Sequence, residues 1–121
     1  PQRPPPTVHE LAERALDNLY DENKPLKHYL RVAERYRKDA KDYYSKGDLE
    51  NAFILFARAA TLVLDKLPTH RDYYTLLSTT QRSNLSWNGQ NIVDNLSDLK
   101  IKLINQYDEW LRAHPETEHS D

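Results

Sequence analysis

Apolar positions recur every three or four residues along most of this chain, and the rhythm breaks at only a few places, so the sequence predicts helices joined by turns. Ala33, Tyr36, Ala40 and Tyr43 keep that spacing up to Gly47-Asp48, and Leu49, Ala52, Phe56, Ala59, Val63 and Leu67 resume it at once. Two helices joined so tightly lie antiparallel. Gly47 suits the left-handed conformation that ends the first, and the Asp48 carboxylate suits the free amides opening the second. Upstream, Thr7-Val8-His9-Glu10 has the spacing of a capping box and predicts a short helix from about Val8 to Leu19. Asp21-Glu22-Asn23 reads as a linker, and Pro25 in the first turn opens a helix continuing to about Lys46. The next helix is expected from Asp48 to Lys66, stopped by Pro68, and Arg71 to Gln81 offers a short one on Tyr73, Tyr74, Leu76 and Leu77. Ser83 to Asn91, with Ser86-Trp87-Asn88-Gly89 inside it, reads as a long loop. A last long helix is expected from about Ile92 to Ala113, ended before Pro115. Around a domain of residues 7–114 lie a proline-rich leader, 1–6, expected to be extended, and an acidic tail, 115–121, expected to be disordered.

The faces of these helices divide sharply. Leu26, Tyr29, Leu30, Ala33, Tyr36, Ala40 and Tyr43 form the inward face of the second helix, which turns a basic face to solvent. For any one of its cations an ordinary solvated surface is the default. Arg31, Arg35 and Lys38, one or two turns apart, also make a stripe suited to an acidic peptide. The third helix is apolar around much of its circumference, leaving mainly Glu50, Asn51, Arg58, Thr61 and Asp65 for water, so it is central or covered by a partner. In the last helix Ile92, Leu96, Leu99, Leu103 and Trp110 make a core line, whereas Val93, Ile101, Ile104 and Leu111 lie on other sides. A groove floored by Leu55, Leu62, Ile101 and Ile104 would accept an amphipathic helix. Packing by the Arg71 to Leu77 segment is the competing explanation for that excess.

Composition narrows the function. The 121 residues hold one core, and 38% hydrophobic residues with strong periodicity outweigh the 30% charged residues and a mean hydropathy of -0.90 as signs of folding. A net charge of -2 decides little. The absence of Cys removes thiolate nucleophiles, disulfides and Cys-based zinc sites, and fits a reducing cytosolic compartment. No run is long enough to cross a bilayer, and no secretory signal is visible, so Asn84-Leu85-Ser86 and Asn95-Leu96-Ser97 are accidental glycosylation matches. The missing initiating Met and ragged ends are those expected of a piece of a longer protein. His9, His28, His70, His114 and His119 are scattered with no His-Glu-x-x-His spacing, and His70-Arg71-Asp72 reads as a turn or surface contact. With two glycines, no phosphate-cradling loop is built. No catalytic residues, metal ligands or cofactor are therefore assigned. Nucleic acid would suit a basic stripe, but the tyrosines able to stack on bases lie on the buried face, and it is not expected as a partner.

Small alanines among aromatics let two helix backbones approach closely, as in tetratricopeptide hairpins and in the MIT domains that bind ESCRT-III tails. Ala52-Phe53-Ile54-Leu55-Phe56, running through Leu64-Asp65-Lys66-Leu67-Pro68-Thr69-His70-Arg71-Asp72-Tyr73, closely resembles the amino-terminal MIT-like domain of AMSH-type endosomal deubiquitinases. A related domain opens the UBPY-type ubiquitin-specific proteases. The resemblance is dense from Tyr29 to Tyr73 and weaker beyond. It implies an all-α, antiparallel MIT-like bundle of three long helices plus one or two short ones. It also implies a non-catalytic module, cytoplasmic and without membrane insertion, that docks a deubiquitinase onto ESCRT-III tail helices at endosomes during multivesicular-body sorting. The zinc-dependent isopeptidase chemistry of AMSH-type enzymes lies in a separate domain. The main alternative is homodimerisation, which the UBPY-type relative suggests and the apolar excess would equally serve. An adaptor or inhibitor of a deubiquitinase is the third class.

Overall fold

The computed structural model describes residues 3–115, and its regular structure is helical throughout. Helices α1 (Val8–Ala15), α2 (Leu26–Ser45), α3 (Leu49–Thr61), α4 (Tyr73–Leu76) and α5 (Thr79–Ala113) follow in order, with a π-helical turn Leu62–Lys66 and a 3-10 turn Leu67–Thr69 after α3. The expected acidic tail lies, apart from Pro115, outside the described residues.

The hairpin forms as its residues dictate. Gly47 has φ 83°, the left-handed value that turns the chain out of α2. The Asp48 N–H donates to the Tyr43 carbonyl (2.9 Å), closing the end of α2. The Asp48 carboxylate accepts from the Asn51 N–H (3.1 Å), opening α3. Ala40 and Ala52 are fully buried beside that junction, so the backbones of α2 and α3 meet with only methyl groups between them. At the start of α1 the Thr7 hydroxyl accepts from the Glu10 N–H, and Glu10 accepts in return from the Thr7 N–H. α1 is shorter than expected. It stops at Ala15, and Asn18, at φ 47°, bends the chain so that Leu19 still reaches the core. Pro68 ends the α3 segment by geometry rather than abruptly. It has no N–H for the Leu64 carbonyl, and the backbone widens into the π turn, where the Leu67 N–H reaches back to Leu62.

Two apolar clusters share the core. One joins Leu11, Ala40, Ala52, Phe53, Phe56, Ala59, Ile92, Leu99 and Leu103, contributed by α1, α2, α3 and α5. The other joins Leu19, Leu26, Tyr29, Ala33, Leu62, Val63, Leu67, Tyr73 and Leu77 around the π turn. α3 lies between α2 and α5, as its nearly all-round apolar character requires.

Three expectations are corrected. Ser83–Asn91 is not a loop, because α5 runs unbroken from Thr79, opened by a capping box in which Ser78 and Gln81 each accept from the other's backbone N–H. Gly89 is a contact residue there: a Cβ on it would stand 2.6 Å from Leu64 Cδ2. Tyr43 is exposed, and Tyr44 turns inward instead, since Tyr36, Ala40 and Tyr44 continue the four-residue spacing at the end of α2. Trp110, expected in the core line, is half-buried and stacks on His114, because nothing beyond Leu103 in α5 is fully buried.

Candidate interaction surface

On α2, Arg31, Arg35 and Lys38 are exposed, and none of the ion pairs among the described residues uses them. Their neighbour Arg37 is committed, donating to both Glu34 oxygens at 2.6 and 2.7 Å. The Arg37 hydrogen bond holds the Glu34 carboxyl below its ordinary range, and the Arg37 guanidinium is raised in turn. Arg31, Arg35 and Lys38 border a shallow hollow together with Glu34 and Asp39, so the stripe exists as a surface while its positive field is diluted by two carboxylates.

The four residues expected to floor one groove are dispersed. Leu62 is fully buried in the cluster around the π turn, covered by Tyr73 and Leu77, so packing by the segment after Pro68 accounts for it. Leu55 is half-buried and lines a hollow shared with Asp39, Asp42, Tyr43 and Lys46 on the α2 side of α3. Ile101 and Ile104 stand alone on α5, 62% and 43% exposed. Ile101 lies about two and a half turns beyond the buried Ile92, on the opposite side of the helix.

Three polar contacts that sequence reasoning missed hold the frame under these surfaces. Arg58, expected in water, donates to the carbonyls of Ala15 (3.1 Å) and Asp17 (2.7 Å), satisfying the open end of α1, and lies 5.0 Å over the Tyr36 ring. His70, expected at the surface, is buried. Its Nδ1 accepts from the Asp72 N–H (3.1 Å), which leaves Nε2 to donate to the Lys24 carbonyl (2.9 Å) and ties the entry of α2 to the turn before α4. Tyr44 donates to Asp98 while Lys102 donates to Tyr44 (2.6 Å) and pairs with Asp98 (3.3 Å), linking α2 to α5. Hydrogen bonds from Tyr44 and then Lys102 lower the Asp98 carboxyl, and those with Tyr44 and then Asp98 raise the Lys102 ammonium. In sequence, the only signal for Arg58 was a lone cation inside an apolar run.

At the other end of α5, Tyr74 and Trp87, 68% and 70% exposed, flank a cleft of about 490 Å³, with the Arg82 guanidinium 4.8 Å over the Tyr74 ring. Among the described residues no group of three or more His, Asp or Glu is placed to hold a metal ion, and no helix is long and apolar enough to cross a membrane.

An all-α bundle that keeps Trp87, Ile101 and Ile104 exposed on its longest helix has the character of an interaction domain rather than of a catalytic one. A family model for the USP8 dimerisation domain matches residues 6–110, and the chain belongs to that family. It is similar to a STAM-binding protein-like protein of Xenopus laevis, 34% identical over 69% of this chain and 20% of that protein. The mouse AMSH-like protease is 27% identical over 86% of this chain and 24% of its own length. Regulator of free ubiquitin chains 1 of Vanderwaltozyma polyspora is 36% identical over 52% of this chain and 32% of its length. The chain thus spans about a fifth to a third of these curated relatives. The family and these relatives support the likeness to the amino-terminal domain of AMSH-type deubiquitinases, and the domain is a non-catalytic one.

Proposed function

We propose that this domain is a self-association module that pairs two copies of a ubiquitin-processing protein or of its regulator. The observation that carries the proposal is the outward face of α5, where Ile101 and Ile104 are exposed on a helix whose inner face already completes the core. Membership of a family described by dimerisation supports it. Pairing raises the local concentration of whatever the chain is joined to and needs no chemistry of its own. Sedimentation equilibrium tests it: the domain sediments as a dimer, and Ile101→Asp with Ile104→Asp sediments as a monomer of unchanged helicity. A wild-type monomer at high concentration overturns the proposal.

A second reading rests on the free cations of α2. Arg31, Arg35 and Lys38 would steer an acidic ESCRT-III tail helix, recruiting a cytoplasmic deubiquitinase to endosomes for ubiquitin removal during multivesicular-body sorting. Titration calorimetry with one acidic tail peptide decides this. Binding that weakens in Arg31→Glu/Arg35→Glu and with added salt supports it, and affinity indifferent to both removes it.

A further inference from the structure

Where α4 meets the first turns of α5, the Tyr74 ring is largely exposed and yet held in place. It packs edge-on against the buried Tyr73, with ring centroids 5.0 Å apart, and the Arg82 guanidinium lies 4.8 Å over it. That guanidinium is itself fixed, donating to the Leu77 carbonyl (2.6 Å) and to the Thr79 hydroxyl (3.3 Å). Thr79, Ser83, Ser86 and Gln90 follow one another at four-, three- and four-residue spacing, so they share one side of α5, and they line the cleft that Tyr74 and Trp87 flank. Two aromatic walls with small hydroxyl side chains between them make a slot whose shape exists before any ligand arrives.

We propose that this cleft binds a proline-rich segment of another protein in the polyproline II conformation. The donors and the charge of the lining select that ligand. The hydroxyls of Thr79, Ser83 and Ser86, the Gln90 amide and the Trp87 indole N–H can all donate, the one formal charge is the Arg82 cation, and among the described residues no carboxylate lines the cleft. A proline-rich strand is the complement of such a lining. Its carbonyls are acceptors with no partner inside the strand, and its prolines have no N–H that needs an acceptor. A docked helix would bring carbonyls already spent on its own backbone. Proline rings also have apolar faces that pack between aromatic walls, here Tyr74 and Trp87. The dimensions agree: Thr79 to Gln90 covers about 16 Å of α5 at about 1.5 Å per residue, room for about five residues of polyproline II at about 3.1 Å each. Pro4-Pro5-Pro6 of the same copy is not the occupant, because it leads into α1, where Val8 packs on the cluster of Leu99 and Leu103, whereas Tyr73 of the cleft belongs to the other cluster.

Decaproline is the probe, titrated calorimetrically into the domain at fixed chain concentration, with a glycine-serine peptide of equal length as the control. Saturable binding is expected of decaproline alone, weakened about tenfold or more in Tyr74→Ala and in Trp87→Ala and unchanged in Trp110→Phe. Both truncated side chains are largely exposed, so circular dichroism should show wild-type helicity. Ser83→Phe fills the floor of the slot while keeping both rings, and it should abolish binding too. In the Trp110→Phe background Trp87 is the single indole, and its emission should shift to the blue as decaproline covers it. Absence of saturable binding by the folded domain overturns the proposal, as does binding that Ser83→Phe and Trp87→Ala leave unchanged. A blue shift given by phosphatidylcholine vesicles and not by decaproline assigns the exposed rings to a lipid surface and equally overturns it. None of these outcomes depends on self-association through Ile101 and Ile104.

Discussion

Gly89 sits where α5 crosses the π turn, and Gly89→Ala sets two calculable effects against each other. A methyl group there would lie 2.6 Å from Leu64 Cδ2, 2.7 Å from Leu64 Cγ and 3.2 Å from Val63 Cγ1. Apolar carbons rest at about 3.5–4.0 Å, so Leu64 must retreat by about 1 Å. Val63 is buried and has nowhere to go, whereas Leu64 is half-buried and swings outward at the expense of its own packing. Overpacking of this kind costs ~1–3 kcal/mol. Against it, alanine gains about 1 kcal/mol over glycine inside a helix. The net expectation is a loss of about 1 kcal/mol, read in urea unfolding followed by far-ultraviolet circular dichroism. A double-mutant cycle isolates the clash: in a Leu64→Ala background only the milder 3.2 Å contact with Val63 remains, and Gly89→Ala should there stabilise, by at most about 1 kcal/mol. If Gly89→Ala stabilises the wild-type chain as much as it stabilises Leu64→Ala, the close approach of α5 to the π turn is refuted.

Other perturbations separate backbone, polar and electrostatic contributions. A Cβ at Gly47 meets nothing within 4 Å, so Gly47→Val tests the φ of 83° alone and should cost about 1–2 kcal/mol; a melting temperature at or above wild type would remove strain as the mechanism. His70→Ala leaves the Lys24 carbonyl and the Asp72 N–H without their partner in a partly buried site, for a loss of about 2 kcal/mol at the low end, about 1 kcal/mol, for each group, and a change near zero in urea unfolding would show that the contact holds nothing. The depressed Glu34 carboxyl adds a pH dependence of definite sign. Its folded pKa lies below the unfolded value, so its contribution is present above about pH 4.5 and is lost as pH falls through the lower folded value. Melting temperature should fall more steeply from pH 7 to pH 3 in the wild type than in Glu34→Gln, by a small margin because the pair is partly exposed, and parallel profiles would count against the pair.

The hairpin was legible because each of its determinants is local. Gly47, Asp48 and the alanines at the crossing act through their own backbone or nearest turn, and spacing alone locates them. α5 was misread for the opposite reason. Asn88-Gly89 resembles a turn only while the partner surface is unknown; once Leu64 lies across it, glycine is the residue that lets the helix pass. A local signal was nevertheless present, since Ser78-Thr79-Thr80-Gln81 has the same capping-box spacing that identified Thr7 to Glu10. On the surface, the exposure of Arg31, Arg35 and Lys38 followed from the helical period. The groove did not, because Leu62, two turns from Leu55 on the same side of α3, is covered by the segment after Pro68, and Ile101 and Ile104 lie on the outer side of α5; periodicity does not tell which element covers a face.

The same interruption explains why α5 is left with an unused face. A straight α3 continuing to Lys66 would keep one stripe toward α5 along its whole length. The widened turn instead gives Leu62 and Val63 to the cluster with α2 and the segment after Pro68, and α5 meets that cluster at Gly89 and through the half-buried Leu85. Contact there is close but narrow, so the turns of α5 before Gly89 bury no side chain completely, and those beyond Leu103 bury none either. A helix so held gains little from its flanks within one copy of the chain. Exposed helical turns with weak intrinsic preference are marginal in water. Ser83, Asn84, Ser86 and Asn88 are poor helix formers, and the capping box at Ser78 and Gln81 offsets only part of that deficit. Pairing through Ile101 and Ile104 covers the other flank, and amide hydrogen exchange over Ile101–Leu111 should therefore slow as chain concentration rises. Exchange independent of concentration would mean that the helix is self-sufficient and that its outer face is left to another partner.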